Sequence, residues 1–178
     1  EFSGGLLLIE DINKYVSHTF PQDLLGAICT NRHSDLDIIM HYQSIGKITP
    51  TLWQNANWIR FHKNNDSVRR HETKLTDKFQ IYRIVEEIVN SRYSRAISKE
   101  QKSYHVFIDN DEMKIMSRNF TEKELDSAIF NYISEDYTAI MKPALNRATM
   151  MLKDGGKVDK EAILKERIAY FKETYCSL

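Results

Sequence analysis

Residues Leu6-Leu7-Leu8-Ile9 form a continuous apolar run that Glu10-Asp11 closes at once. Four residues are too few for a helix, and a run with no polar alternation is how a parallel-sheet strand buried on both faces reads. Leu36 to Met40 has the same character and ends at His41-Tyr42-Gln43. Between the two, Pro21 suits a helix N1 position, and Leu24, Leu25 and Ile28 recur at helical spacing. The spacing predicts a helix to about Arg32, with Ser34-Asp35 turning the chain. Thr49-Pro50 begins a short helical turn, and Trp58-Ile59-Arg60-Phe61 reads as a third strand. Strand, helix, strand, short helix, strand is the rhythm of an α/β sheet.

The pattern changes after the polar loop Asn64-Asn65-Asp66-Ser67. Phe79, Tyr82, Ile84, Val85, Ile88 and Val89 describe an amphipathic helix from Thr76 to about Tyr93. Tyr104 to Ile108 and Met113 to Met116 flank Asp109-Asn110-Asp111-Glu112 as a β-hairpin. Thr121-Glu122-Lys123-Glu124 is a capping-box helix start, and Pro143 breaks or kinks the helical stretch beyond it. A last helix runs from Lys160 to about Tyr175. The expected organisation is therefore an α/β part over residues 1–65, then a mainly helical domain over 66–178 with its hairpin near 104–116. The opening Phe2-Ser3-Gly4-Gly5 reads as an approach to a strand, as though an upstream half preceded it.

Hydrophobic residues make up 42% of the 178 residues and charged ones 28%, a balance that supports a sizeable core. The formal net charge is +0, which argues against a protein that coats nucleic acid along its whole surface. A ring enzyme touching DNA through a few loop residues remains compatible with it. No apolar run approaches the roughly 18–20 residues of a membrane span. Cys29 and Cys176 fit no C-x-x-C pattern, and the expected setting is reducing and cytoplasmic.

Chemistry enters with the two acids. A strand fixes Glu10 and Asp11 at its C-terminal edge, where open α/β sheets bind ligands. That is the layout of a Walker B strand, in which one carboxylate holds the Mg²⁺ shell and its neighbour polarises the attacking water. The next stretch, Thr30-Asn31-Arg32-His33-Ser34-Asp35, puts an Arg in a helix-to-strand turn, and the second strand ends in Gln43. A polar segment begins at Asn55.

This order resembles the FtsK–HerA superfamily of P-loop ATPases, and within it the viral genome-packaging and zonula-occludens-toxin-like branch. The resemblance covers about residues 3–63 and implies the C-terminal part of a P-loop NTPase sheet. It implies Glu10 as the Mg²⁺-side acid acting through water, and Asp11 as the catalytic acid. The family usually places Asp first and Glu second, so the reversed order leaves open which acid does which. Gln43 corresponds to a sensor of the γ-phosphate or lytic water, against the alternative of a strand-end amide satisfied by a loop. Arg32 corresponds to an arginine finger reaching a neighbouring subunit, against the alternative of a helix-end cation. ATP and Mg²⁺ as ligands, DNA as the translocated substrate, a homo-oligomeric ring and a portal or capsid partner all follow from the resemblance. For a virus the compartment is the host cytoplasm.

The sequence contains no G-x-x-x-x-G-K-[ST]. Gly155-Gly156-Lys157 is followed by Val158 where Ser or Thr should ligate Mg²⁺, so it reads as a turn between helices. The six histidines show no ligand spacing. Asp109, Asp111 and Glu112 read as turn composition rather than a nuclease centre. Lys63, Arg69, Arg70 and Lys74 read as a solvated face, with phosphate contact as the alternative. The rival to an ATPase is a non-catalytic docking module in which the α/β part is only a scaffold.

Overall fold

The computed structural model describes residues 4–12, 26, 35–152 and 157–176. Among these residues it is a mixed α/β structure with two small sheets, one of two parallel strands and one of three antiparallel strands. The chain divides into two compact units: Glu1–Ala56 with Asn64–Thr76, and Asn57–Lys63 with Asp77–Leu178.

In the first unit, β1 (Gly5–Ile9) pairs with β2 (Leu36–Met40) in parallel, with Leu7 opposite Ile38 and Ile9 opposite Met40. Helix α1 (Pro50–Asn55) starts where the sequence reading places it. The Thr49 hydroxyl caps the Leu52 N–H, and Pro50 occupies a position that needs no N–H donor. Ile9, Ile38, Met40, Tyr42 and Ile48 pack around Ile12 and Leu52. Burial on both faces was the expectation for these strands, but among the described residues only this face is covered. Leu6, Leu8 and Ile39, on the other, are 60%, 55% and 51% exposed. Short 3₁₀ turns at Ile45–Lys47 and Val68–His71 and helix α2 (Glu72–Leu75) complete the described part of this unit. The helix expected over residues 21–32 lies outside the described residues except for Gly26, which is helical.

The third expected strand forms, but in the other sheet. β3 (Trp58–His62) pairs antiparallel with β4 (His105–Asp109), which pairs in turn with β5 (Lys114–Ile115). The reason is burial. Phe61, Val106, Ile108 and Ile115 line one face of this sheet and are buried, with the Phe61 ring 6.1 Å from that of Tyr82. Tyr82 belongs to α3 (Phe79–Arg95), and its hydroxyl donates to Asn110 Oδ1 in the hairpin turn at 2.8 Å. The short helix α4 (Lys99–Lys102) leads into β4. Helix α5 (Glu122–Glu135) opens on the expected capping box and packs along α3 and the last helix, Lys160–Tyr175. Helix α6 (Tyr137–Met151) runs through Pro143, whose missing N–H leaves the Ala139 carbonyl without its usual donor. Helix α7 (Lys160–Tyr175) has its expected bounds, with the Asp159 carboxylate capping Glu161 and Ala162. Among the described residues no helix is long and apolar enough to cross a membrane.

Candidate functional site

The parallel pairing of β1 and β2 brings their C-terminal ends side by side, and the ladder continues past both. His41 N–H donates to the Ile9 carbonyl at 3.0 Å, and Ile12 N–H to the His41 carbonyl at 3.4 Å. Glu10 and Asp11 leave β1 inside this extended ladder. Asp11 sits at φ 49°, a left-handed conformation that a short carboxylate side chain tolerates and that turns the chain out of the strand. Gln43 leaves β2 at the same edge. Its side-chain amide donates to Asp11 Oδ1 at 2.7 Å. Glu10 and Gln43 are exposed, so both groups at this edge are open to a ligand.

A second layer of polar contacts fixes the loop that carries Gln43. The Asn64 side-chain amide donates to the Gln43 carbonyl at 3.1 Å, and Asn64 Oδ1 accepts from the Asp66 N–H at 2.8 Å. Asp66 then gathers the Ser44 hydroxyl at 2.7 Å, the Gly46 N–H at 2.8 Å and His71 Nε2 at 2.8 Å. Burial pushes its carboxyl up, but the hydrogen bonds from His71, Ser44 and Gly46 outweigh it and hold the group at about 2. Lys74 Nζ donates to the Gly46 carbonyl at 2.6 Å. A Cβ on Gly46 would lie 3.0 Å from His71 Cε1 and 3.1 Å from Asp66 Oδ2, so glycine is what lets this loop close. Ser44, Asp66 and His71 do not form a nucleophilic triad, because the hydroxyl and the imidazole both address the same carboxylate rather than each other.

No family model matches the chain, and no curated protein and no solved structure matches it either. What the site can do therefore rests on its own geometry.

Of the residues singled out in the sequence, Glu10, Asp11 and Gln43 come together at one sheet edge. Arg32 and Cys29 lie outside the described residues, as do Gly155 and Gly156. The hairpin acids behave as turn residues. Asp109 Oδ1 accepts from the N–H groups of Asp111 and Glu112, and Asp111 Oδ2 accepts from the Asn57 amide at 2.6 Å. Among the described residues no group of three or more His, Cys, Asp or Glu is placed to hold a metal. Lys74 of the basic run is committed to the Gly46 loop, while Arg69 and Arg70 are exposed. Burial pushes the Cys176 thiol up to about 11, the opposite of an activated nucleophile.

Sequence reading treated Asn64 and Asp66 as a polar loop, with Asp66 also an acid interleaved in the basic run. Their role in holding the Gln43 loop is a contact across some twenty positions, and the only local signal for it was the Asn-Asn-Asp-Ser composition.

Proposed function

We propose that Glu10, Asp11 and Gln43 are the acid and sensor elements of an ATP-hydrolysing site in a P-loop ATPase of the FtsK–HerA type. The observation that carries this reading is the 2.7 Å contact between Gln43 and Asp11 at the C-terminal ends of adjacent parallel strands. Open α/β sheets bind ligands at that edge, and phosphoryl transfer uses a metal-side acid, a water-polarising acid and a γ-phosphate sensor there. Two carboxylates suffice for Mg²⁺, which keeps several waters and takes one or two protein carboxylates beside the substrate phosphates. The residues present fit that ion. Glu10 would face its water shell, and the ion would supply charge neutralisation for the triphosphate. Asp11 orients and polarises water, while Gln43 holds the Asp11 carboxylate until a phosphoryl oxygen or water competes for its amide. These 178 residues contain no G-x-x-x-x-G-K-[ST], so this reading requires a phosphate cradle that they do not supply.

The proposed work is DNA translocation through a homo-oligomeric ring, with a viral genome loaded into a capsid as the setting. The test is phosphate release by the full-length protein, with and without Asp11→Asn. Turnover that depends on Asp11 supports the reading, and normal turnover in the variant sinks it. Calorimetric titration of the 178-residue chain with ATP·Mg²⁺ should show no micromolar binding.

A docking module is the second reading, favoured by the exposed apolar face of Leu6, Leu8 and Ile39. It requires no ATP turnover from the full-length protein and a loss of portal or capsid binding in Leu8→Ser.

A further inference from the structure

The second sheet has one face packed on α3 and another open. Alternation along β3 and β4 sends Ile59, Phe61, Val106 and Ile108 inward and Trp58, Arg60, His62, His105, Phe107 and Asp109 outward. Solvent-facing strand positions are ordinarily polar, and tryptophan is on average a well-covered residue. Here Trp58 is 59% exposed and Phe107 is 41% exposed.

Four of the outward residues, Arg60, His62, His105 and Phe107, form one connected array. The His62 and His105 rings lie 5.1 Å apart, and His105 meets Phe107 edge-on at 5.1 Å. The Arg60 guanidinium stands 5.9 Å from the Phe107 ring centre, and its Nη2 is 3.3 Å from His105 Nδ1. Such contacts hold the rings in place before any ligand arrives. The register puts Trp58 beside Asp109 at one end of the β3–β4 pair and His62 beside His105 at the other, so aromatic rings stand at both ends of this face. The carboxylate on this face is engaged, since Asp109 Oδ1 accepts two N–H groups of its own turn. A guanidinium and two imidazoles among aromatic faces, with the acid tied back, complement phosphates and bases.

We propose that this open face is a stacking surface for single-stranded nucleic acid. A sheet that presents aromatic side chains with an Arg between them takes unstacked bases on its rings and phosphates on its cation. A duplex cannot use it, because its base faces are already stacked. The inference goes beyond the ATPase reading and stands without it, as no nucleotide triphosphate enters its test.

The test uses the 178-residue chain and fluorescein-labelled dT20, rU20 and a 20-base-pair duplex, followed by anisotropy at fixed salt. Trp53 is buried, so the change in intrinsic fluorescence on binding reports chiefly on Trp58. The expected result is that a single strand binds, quenches Trp58 and outcompetes the duplex. Comparing dT20 with rU20 tells which sugar the surface prefers. Trp58→Ala and Phe107→Ala should each weaken binding roughly tenfold, the scale of losing one base–aromatic stack. Trp58→Phe should restore most of it, and far-UV circular dichroism should not change, because both side chains face solvent. Equal affinity for single strand and duplex overturns the proposal, as does unchanged binding in both alanine variants. So does sedimentation as a dimer that Trp58→Ala dissociates, with no quenching by dT20, since the face then serves a second copy of the chain.

Discussion

The side-chain amide of Gln43 donates to the carboxylate of Asp11 at 2.7 Å, across 32 positions of sequence. Two apolar strands that each end in polar residues become one polar edge only because they run parallel with Ile9 opposite Met40. An antiparallel pairing would have put the acids and the amide at opposite ends of the sheet.

That edge gives the first prediction. In the full-length protein, Glu10→Gln and Asp11→Asn should each lower kcat for ATP hydrolysis at least about a hundredfold, the scale of losing a positioned acid–base or electrostatic group. Glu10→Gln should raise the Mg²⁺ concentration required, whereas Asp11→Asn should accumulate bound ATP. Steady-state phosphate release across a Mg²⁺ series separates the two.

Arg32 supplies the second, which rests on its place in the sequence. As a finger it completes the neighbouring subunit's site, so Arg32→Ala should leave ATP binding nearly intact and lower turnover about 10³-fold. Arg32→Lys should not rescue it, because an ammonium cannot fork between two phosphoryl oxygens. Mixing Arg32→Ala with Asp11→Asn protein should restore part of the activity. Activity retained by Arg32→Ala alone makes the residue a helix-end cation.

The third concerns acid. The Asp66 carboxyl is held at about 2 in the folded chain, below the roughly 3.9 of a free aspartate. A depressed carboxylate stabilises fully above the unfolded value and loses that contribution as pH falls through the folded one. Unfolding followed by circular dichroism should therefore be insensitive to this group above about pH 5 and weaken from about pH 4 toward pH 2. Asp66→Asn should flatten that limb and destabilise the Gln43 loop, and Gly46→Ala should loosen the same loop through its clash with His71. Hydrogen exchange of the amides at position 46 and Lys47 reads out both.

Arg83 carries the fourth. It is buried in α3, paired with Glu86 and with Glu135 of α5, and 3.6 Å from Glu87. Burial pushes the Glu87 carboxyl up, with Arg83 pulling against it. Arg83→Leu strands these carboxylates and should cost about 3–5 kcal/mol in urea denaturation. Adding Glu86→Leu should recover part of the loss, because it removes the most buried of the acids. A single variant as stable as the parent would mean the cluster contributes nothing.

The secondary structure was legible locally. Thr49-Pro50 and Thr121 with Glu124 mark helix starts by capping chemistry that acts within four residues, and the starts of α1 and α5 follow from it. Short apolar runs likewise marked β1 and β2. The acids and the glutamine were legible as types at strand ends, which is why they could be named before any contact was seen.

The hairpin of β4 with β5 and the parallel character of β1 and β2 were legible, but the partner of β3 was not, because a strand's backbone offers the same donors and acceptors to any edge. The choice falls to whichever pairing buries the most side chain. For β3 that was the hairpin, where Phe61 and Val106 close over Tyr82, and not the parallel strands before it. The same long-range choice set the open array of Trp58, Arg60, His105 and Phe107, drawn from two strands that are distant in sequence. Local sequence determined which segments are strands and which ends are polar. Only the tertiary structure decided which polar ends and which rings meet, since those contacts depend on burial summed over distant segments.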